Sequence, residues 1–582
     1  MIPSFYRYVT GALTLQVALG NPIASNNNIN NINNPPYGIP PALKKNHLGA
    51  VASESDICSH IGIDLLKQGG NAADALVGTV FCIGVVGMYH SGLGGGGFML
   101  VRSSNGTYEF IDFRETAPAA AFEDMYKNNE AASISGGLAS GVPGEVRGLQ
   151  HLHTGYGRLP WATVLAPAIK VARQGWKVNT DLVNYMKSAT TSSNFLVEDP
   201  QFAVDFAPNG RLLQLNETIT RKRYANTLET IAIEGPDAFY EGPIAEATIR
   251  ALQANNGTMT LQDLKNYTVA IRKPSTITYR DYKLTSCSAP SGGEVALAVL
   301  KIMEGYSGIG DPATANLSTH RLDEAMRFAY GERSSLGDPL FLDGIDEYQE
   351  QMISEETARE IRAKISDNST FGVSYYDPKG LESLETPGTS HIVAADHTGL
   401  AITLTTTVNL LFGSKLVVPE TGVIMNDEMN DFSIPNVTNA FGYIPSPANF
   451  IRPGKRPLSS ISPVIVEHLN STLLNSFYVA IGAAGGSRII TATIQNLIHI
   501  LDGGMDVATA LAQPRIHDQL VPAQVSFEYT FDNSTAAFLK ELGANVTWVA
   551  SGSTAQGLRR LSNGTFEAAG EPRQKNSGGF AV

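Results

Sequence analysis

Cysteine and basic residues are both scarce in this chain of 582 residues. Only 3 cysteines are present, none in a Cys-x-x-Cys pair, and no His-Glu-x-x-His motif occurs. Two common patterns of a metal centre are therefore missing, and we expect no metal and no cofactor. Lys and Arg number 42 against 55 Asp and Glu, which gives a formal charge of −13. Because an acidic chain repels phosphate backbones, nucleic acid is not expected as a partner.

Long apolar runs are also missing beyond the N-terminus. No stretch of about 18 apolar residues, the length that crosses a bilayer, occurs there. At the N-terminus, Arg7 precedes a mostly apolar stretch and then small residues, which is typical of a signal peptide or signal anchor over residues 1–25. Residues 26–47 are rich in Asn and Pro and predict an unstructured linker. These features predict the secretory pathway, with an extracellular, cell-surface or vacuolar location.

Eleven Asn-x-Ser/Thr triplets agree with a secretory route. Any one of them also arises by chance in an Asn-rich chain, but with the signal segment they favour a glycoprotein. The candidate glycosylation residues are Asn105, Asn216, Asn256, Asn266, Asn316, Asn368, Asn436, Asn470, Asn533, Asn545 and Asn563.

Two helices are predicted near the start of the folded part, on either side of the Gly69-Gly70 pair. A helical hairpin of this kind would bring Cys58 and Cys82 together. A disulfide between them is one interpretation, and two buried free thiols are the other. Cys287 is left over and is expected to be a small core residue.

The stretch SGLGGGGF, residues 91–98, has the glycine spacing of a dinucleotide-binding loop. That motif must follow a strand and open a helix. Here a helical segment precedes the glycines and the strand-like FMLVRS follows them. We therefore interpret the stretch as a tight loop where two backbones approach closely.

Residues 391–396 and 401–409 predict a β-hairpin around the turn DHTG. Neighbouring side chains of a strand point to opposite faces, so Ser390 and His391 are not expected to form a catalytic pair. The same alternation puts four small polar residues on one face. Either this face meets solvent, or each polar group has a buried partner. The four residues are Thr403, Thr405, Thr407 and Asn409.

Thr389 is the candidate nucleophile, in the stretch TPGTSHIVAAD. A Thr in mid-chain lacks an adjacent base, but cleavage of the bond before it would create a terminal amine with a pKa of about 7.7 to 8.0. That amine is a base beside the hydroxyl of the same residue. Gly388 suits a cleavage site because it tolerates strained backbone angles and leaves its carbonyl unhindered.

Ten segments, in this order, resemble the γ-glutamyltransferases, which are N-terminal nucleophile hydrolases. The segments are GGNAADA, SGLGGGGFMLV, DFRETAP, GLASGVPGEVRGL, APSGG, GTSHIVAAD, TTTVNLLFGS, NDEMNDFS, RPLSSISPVIV and GAAGGSRI. The resemblance implies an α+β fold, a four-layer αββα sandwich. It also implies self-cleavage between Gly388 and Thr389 into a large subunit, 48–388, and a small catalytic subunit, 389–582. The two subunits would remain together as a heterodimer.

The implied activity is γ-glutamyl transfer and glutathione hydrolysis. Thr389 would attack glutathione or another γ-glutamyl compound and pass the γ-glutamyl group to water or to an amino acid or dipeptide acceptor. Thr407 would hydrogen bond the nucleophile, and Gly485 and Gly486 would form the oxyanion hole. Two further sets would hold the donor: Asn409, Glu428 and Asp431 its α-amino group, and Arg114, Ser459 and Ser460 its α-carboxylate.

Other interpretations of these residues and of the whole chain stay open at this point. Without the resemblance, NDEMND predicts a solvated acidic loop, and Arg114 predicts a surface ion pair with Glu115 or another acid. One alternative function is another amidase of the same fold, such as a cephalosporin-type acylase or a poly-γ-glutamate hydrolase. The other is a secreted binding glycoprotein without enzyme activity.

Overall fold

The computed structural model describes residues 46–381, 388–435, 444–469, 471 and 476–582 of one continuous chain. The predicted signal segment, most of the linker, and the candidates Asn436 and Asn470 lie outside the described residues. No helix in the described part is both long and apolar enough to cross a membrane.

Two antiparallel β-sheets lie face to face at the centre of the molecule. In spatial order the first contains β18 (Gly578–Ala581), β1 (Gly49–Ser53), β9 (Ser390–Asp396), β10 (Ala401–Thr407), β2 (Gly96–Arg102), β3 (Tyr108–Asp112) and β6 (Ala270–Arg272). The second contains β17 (Phe566–Ala569), β16 (Thr554–Arg560), β12 (Phe477–Ala484), β11 (Val464–His468), β8 (Tyr282–Ser286) and β7 (Ser275–Tyr279). Each sheet therefore takes strands from both sides of residue 389.

Smaller strands lie outside these sheets. They are β13 (Ile516–His517), β14 (Val525–Glu528) and β15 (Val546–Val549) in one group, and β4 (Trp176–Lys177) and β5 (Thr218–Ile219) in another.

Helices cover the outer face of each central sheet. On the side of the first sheet they are Asp56–Lys67, Ala72–Val86, Glu145–Tyr156, Trp161–Gln174, Thr180–Ala189, Phe195–Glu198, Pro200–Phe206, Lys222–Glu234, Asp237–Tyr240, Pro243–Ala254 and Leu261–Asn266. On the side of the second sheet they are Gly293–Glu304, Ala315–Arg333, Ile345–Met352, Glu355–Lys364, Val373–Tyr376, Arg488–Leu501, Val507–Ala512 and Asn533–Glu541. Short 3-10 helices are Glu130–Ser133, Gly137–Ala139, Pro312–Thr314, Pro339–Phe341, Glu428–Asp431 and Pro447–Asn449.

Alternating side chains of β9 and β10 divide the core into two parts. Ile392 and Leu404 pack against the helices outside the first sheet. Val393 and Ala395, whose side chains point to the opposite face, pack against the second sheet. The resulting order of helices, sheet, sheet and helices confirms the αββα sandwich that the resemblance implied.

The predicted helical hairpin near the start of the folded part is present. A disulfide joins Cys58 in its first helix to Cys82 in its second. The second helix begins at a capping box, in which the Asn71 side chain accepts from the Asp74 N–H and the Asp74 carboxylate accepts from the Asn71 N–H. Cys287 is a free thiol in the core.

The polar row on β10 is buried between the two sheets, so a solvent-facing row is the wrong interpretation. The ring nitrogens of His391 lie 2.8 Å from the Thr405 hydroxyl and 3.2 Å from the Thr403 hydroxyl. Burial lowers the pKa of His391 to about 3, so the ring is neutral and satisfies these hydroxyls. Ser390 lies on the opposite face and donates to Glu54, as the alternation predicts.

The glycine-rich stretch 91–98 is a loop that runs into the start of β2, and it packs directly against β10. A Cβ on Gly95 would lie 2.0 Å from the Thr407 carbonyl oxygen, and one on Gly97 would lie 2.0 Å from the Thr405 carbonyl oxygen. Only glycine fits at these two positions, because both contacts are to backbone. The end of the loop and the start of β2 thus set the position of the strand that carries Thr407.

Candidate active site

Gly388 and Thr389 precede β9 with an unusual backbone conformation. The φ angle is +140° at Gly388 and +133° at Thr389. Positive φ is rare for a β-branched residue, and such outliers cost of the order of 1–3 kcal/mol. A Cβ on Gly388 would lie 1.7 Å from the carbonyl oxygen of Asn409, so a larger residue does not fit. The Gly388–Thr389 bond is therefore strained, and glycine is required before it.

A small pocket opens beside Thr389. It has about 30 Å³ of free space, enough for one or two water molecules. The predicted site residues on its wall are Arg114, Gly388, Thr389, Thr407, Asn409, Glu428, Asp431, Ser459, Ser460 and Gly486. Gly485 instead lines a second cavity of about 480 Å³, which also borders Gly388 and Thr389. The fold thus gathers nearly all of the predicted set around one residue.

Arg114 is ion-paired with two carboxylates at this pocket. Its Nη1 donates to Glu428 and its Nη2 donates to Asp431. Arg114 follows β3, whereas the two acids lie on one 3-10 turn, Glu428–Asp431. All three side chains are buried, so neither a solvated acidic loop nor a surface ion pair describes them. Both of those interpretations are wrong, because the pocket is enclosed by segments distant in sequence.

Burial sets the protonation of Glu428. It raises the pKa of this carboxyl to about 8, with Arg114 opposing the rise and Asp431 adding to it. Burial also raises the pKa of Glu115 well above its usual range, and the neighbouring Glu428 carboxylate adds to the rise. The site therefore holds more acidic groups than can be ionised together near neutral pH.

The segment from Thr407 to Asn409 lies next to the Gly388–Thr389 bond and forms the floor of the site. Thr407 Oγ1 accepts the Asn409 N–H at 2.7 Å, and Asn409 Nδ2 donates to the Asp427 carbonyl at 3.0 Å. The hydrogen bonds of the described residues include none between Thr407 and Thr389 in this uncut chain. The carbonyl of Asn409 is the group that contacts Gly388.

The turn Gly485-Gly486 connects β12 to the helix Arg488–Leu501. The φ angles of these glycines are +122° and +61°, which other residues rarely adopt. The cap residue of the helix is Ser487, and its carbonyl accepts the hydroxyl of Tyr330 at 2.6 Å. Within the described part of the chain, the N–H groups of Gly485 and Gly486 donate to no backbone acceptor. With the positive end of the helix dipole, they would stabilise a developing negative oxygen at this turn.

Several residues of the pocket wall were not found from the sequence. They are Arg333, Ser334, Ser433, Ser446 and Asn449. Arg333 is the last residue of the helix Ala315–Arg333, where a cation is common for electrostatic reasons alone. The sequence therefore carried no signal that could separate it from an ordinary helix-terminal arginine.

Within the residues that the structure describes, no group of three or more His, Cys, Asp or Glu side chains is placed to hold a metal ion.

Known proteins resemble this chain over nearly its whole length. A family model described as gamma-glutamyltranspeptidase matches residues 58–581. The glutathione hydrolase proenzyme of Arthroderma benhamiae is 55% identical over 557 residues, covering 94% of this chain and 94% of that protein. The glutathione hydrolase of Aspergillus flavus is 50% identical, covering 94% and 93%.

Two solved structures show the same architecture. The crystal structure of cephalosporin acylase from Bacillus halodurans superposes with a TM-score of 0.80 at 25% identity, covering 94% of this chain and 98% of that one. The crystal structure of Helicobacter pylori gamma-glutamyltranspeptidase gives a TM-score of 0.53 at 32% identity, covering 58% of this chain and 96% of that one.

Proposed function

This chain belongs to the gamma-glutamyltranspeptidase family, and from that premise we propose that it is a self-processing glutathione hydrolase and γ-glutamyltransferase with Thr389 as its nucleophile. One observation carries the proposal: the strained Gly388–Thr389 bond lies on the wall of a pocket that also holds Arg114, Glu428 and Asp431. The donor would be glutathione or another γ-glutamyl compound, and the acceptor would be water, an amino acid or a dipeptide.

Self-cleavage is the first step. Thr389 Oγ1 attacks the carbonyl carbon of Gly388, the C–N bond breaks, and the nitrogen takes the hydroxyl proton and becomes an amine. Water then hydrolyses the ester between Gly388 and Thr389 Oγ1, which leaves a Gly388 carboxylate and a free hydroxyl. The positive φ of Thr389 favours this step, because cleavage releases the strain.

In each turnover, the new amine of Thr389 takes the proton from Oγ1, which attacks the γ-carbonyl carbon of the donor. The negative oxygen that forms is stabilised by N–H groups at Gly485 and Gly486. The amide C–N bond breaks, and the leaving amine takes the proton. Water or an acceptor amine then attacks the γ-glutamyl ester and restores the Thr389 hydroxyl.

Charge complementarity supports a γ-glutamyl donor. Its α-ammonium fits the carboxylates of Glu428 and Asp431 and the amide of Asn409, and its α-carboxylate fits Arg114, Ser459 and Ser460. In the uncut chain, Arg114 is bonded to the two carboxylates. A donor would therefore enter by exchanging these internal pairs for its own two charges.

The two products of cleavage are expected to stay together. Residues 48–388 and 389–582 contribute neighbouring strands to both central sheets. For example, β1 of the first part pairs with β9 and β18 of the second. Separation would break these ladders and expose the core between the sheets. We propose a heterodimer of the two parts.

The test is intact-mass spectrometry of the wild type beside Thr389→Ala and Thr389→Ser, followed by release of the anilide from γ-glutamyl-p-nitroanilide. Wild type should give two chains, the smaller beginning at Thr389, and should release the anilide. Thr389→Ala should stay uncut and inactive, whereas Thr389→Ser, which keeps a hydroxyl, should cleave and retain part of the activity. A folded wild-type chain that stays whole and inactive would refute the proposal.

The acylase alternative has structural support in the TM-score of 0.80 with a cephalosporin acylase. Glutaryl-p-nitroanilide separates the two functions, because it lacks the α-ammonium of the γ-glutamyl compound. An enzyme that uses Glu428 and Asp431 for an ammonium should act poorly on it. Preference for the glutaryl compound would favour the acylase.

We also propose passage through the secretory pathway. Nine of the candidate glycosylation residues are described, and all are exposed except Asn316, which is half-buried. The Asn316 side chain also accepts a hydrogen bond from Thr535 at 2.7 Å. Glycosidase treatment and peptide mapping of protein from a eukaryotic host should find glycans at exposed acceptors and none at Asn316. A chain without any glycan would oppose this route.

A further inference from the structure

Arg333 is a buried cation on the wall of the pocket beside Thr389, and no carboxylate of the described residues lies within ion-pair distance of it. Its side chain is only 6% exposed. Among the ion pairs of the described residues, none within 4.0 Å involves Arg333, whereas Arg114 on the same wall pairs with two acids. Among the described residues of the pocket, one guanidinium is therefore in direct ion pairs, whereas that of Arg333 has only the longer-range attraction of Asp431.

Other buried arginines of the described residues either pair with a carboxylate or donate to two carbonyl oxygens. Salt bridges join Arg102 to Glu467, Arg327 to Asp518, Arg456 to Asp112, and Arg515 to Glu571. Arg221 donates to the carbonyl oxygens of Gly84 and Gly422. A buried charge without a direct ion pair is costly, so an anion that enters the pocket beside Arg333 would be stabilised.

Arg333 also contacts a residue of the proposed carboxylate site. Its Nη2 donates to Ser460 Oγ at 3.2 Å, while its Nε is buried without a hydrogen-bond partner. Since Ser460 Oγ is the acceptor in this bond, its own O–H is left to donate elsewhere. A carboxylate in the pocket is an acceptor of the required kind.

The charges on the pocket wall also indicate that Arg333 faces the α-carboxylate of the donor. A γ-glutamyl donor brings one ammonium and one carboxylate. The wall provides two acidic side chains, Glu428 and Asp431, and two guanidiniums, Arg114 and Arg333. When the donor exchanges the internal pairs between Arg114 and these acids for its own charges, Arg114 is released to the α-carboxylate, and Arg333 adds a second positive charge on the same wall.

We propose that Arg333 is a specificity-determining residue for the α-carboxylate of the donor, acting through a charge that is in no direct ion pair with the described residues and through the orientation of Ser460. This inference rests on the proposed function, because it assumes a γ-glutamyl group in this pocket. It adds to the carboxylate site a helix, Ala315–Arg333, that carries none of the catalytic or substrate-binding residues predicted from the sequence.

The experiment compares L-glutamate with its α-carboxamide as competitive inhibitors of anilide release, in wild type, Arg333→Gln, Arg333→Lys and Ser460→Ala. Arg321→Gln is the matched control, because Arg321 lies on the same helix but pairs with Asp367 near the surface. Only self-cleaved protein is assayed, so that each variant is shown to have folded.

Wild type should bind glutamate more tightly than the carboxamide. In Arg333→Gln the inhibition constant for glutamate should rise about tenfold or more, the usual effect of losing a charge-assisted hydrogen bond. The constant for the carboxamide should change by less than about threefold. Arg333→Lys should keep most of the preference, Ser460→Ala should lose part of it, and Arg321→Gln should match wild type.

Equal weakening of both inhibitors in Arg333→Gln would overturn the inference and leave Arg333 a structural residue. If Arg333→Gln does not cleave itself, the test depends on Arg333→Lys and Ser460→Ala. An unchanged preference of Ser460→Ala for glutamate over the carboxamide would then count against the inference. Failure of the proposed function is a separate result, because wild type would then release no anilide at all.

Discussion

The carbonyl oxygen of Asn409 occupies the space beside Gly388, 1.7 Å from the position that a Cβ on residue 388 would take. This oxygen belongs to the backbone, so it cannot turn aside as the end of a side chain could. The N–H of the same residue is held by Thr407 Oγ1 at 2.7 Å. The floor of the site and the strained bond before Thr389 are therefore in direct contact, and two predictions concern this contact.

Replacing Gly388 with Ala should leave most of the protein as one uncut chain. The methyl group would collide with the Asn409 oxygen, and alanine is disfavoured at this φ, which together cost about 2 kcal/mol or more. Intact-mass spectrometry over time measures the cleaved fraction. Gly372→Ala is the control, because nothing lies within 4 Å of its Cβ position. Equal cleavage in the two variants would contradict the close fit.

Thr407→Val should slow self-cleavage and lower the free energy of unfolding by about 1–3 kcal/mol. Valine keeps the shape but removes the oxygen that accepts the buried Asn409 N–H, which then has no partner. Cleavage rate and urea unfolding are measured on the same preparation. Thr230→Val serves as the control, since the Thr230 hydroxyl bonds only a carbonyl of its own helix. A Thr407→Val protein that behaves like this control would exclude a supporting role for the hydroxyl.

The KM for a γ-glutamyl donor should fall as the pH rises through about 8. Burial raises the pKa of Glu428 to about 8, so below that pH the carboxyl is protonated and binds an ammonium poorly. Glu428→Gln should have a higher KM, and this pH-dependent step should be absent. The Thr389 amine, with an ordinary pKa of about 7.7 to 8.0, should still affect kcat in both proteins. An unchanged pH profile of KM in the variant would assign the step to another group.

Glu145→Gln should stabilise the protein in mildly alkaline solution. Burial raises the pKa of Glu145 to about 7, against the hydrogen bonds from Thr406 and Ser91. A carboxyl with a raised folded pKa contributes stability that is complete below its unfolded pKa and is lost as the pH rises through the folded one. Glutamine does not ionise, so the variant should exceed wild type by up to about 3 kcal/mol at pH 8 and by much less at pH 5.

Urea unfolding at the two pH values tests this prediction. The exposed Glu123 offers a control, since Glu123→Gln should change stability little at either pH. A Glu145→Gln protein that gains the same stability at both pH values would show that ionisation of Glu145 is not the cause.

Local sequence patterns predicted several elements well. The alternation around DHTG predicted the β9–β10 hairpin and put Ser390 and His391 on opposite faces. The apolar spacing and the Gly69-Gly70 pair predicted the two helices that carry Cys58 and Cys82. These features depend on backbone sterics and hydrogen bonds within a few residues, which the sequence states directly.

The sequence by itself determined the chemistry at Thr389. A glycine, then a threonine, then a strand is the pattern that an N-terminal nucleophile formed by self-cleavage requires. Only the tertiary structure decided which polar groups are buried and which charges meet. Thr403 and Thr405 alternate as a solvent-facing strand would, but the second sheet covers them and His391 satisfies them. Arg114 meets Glu428 across 314 positions, and Arg333 reaches Ser460 across 127. Periodicity and capping act over a few residues, whereas burial and ion pairing depend on what the rest of the fold packs against each face.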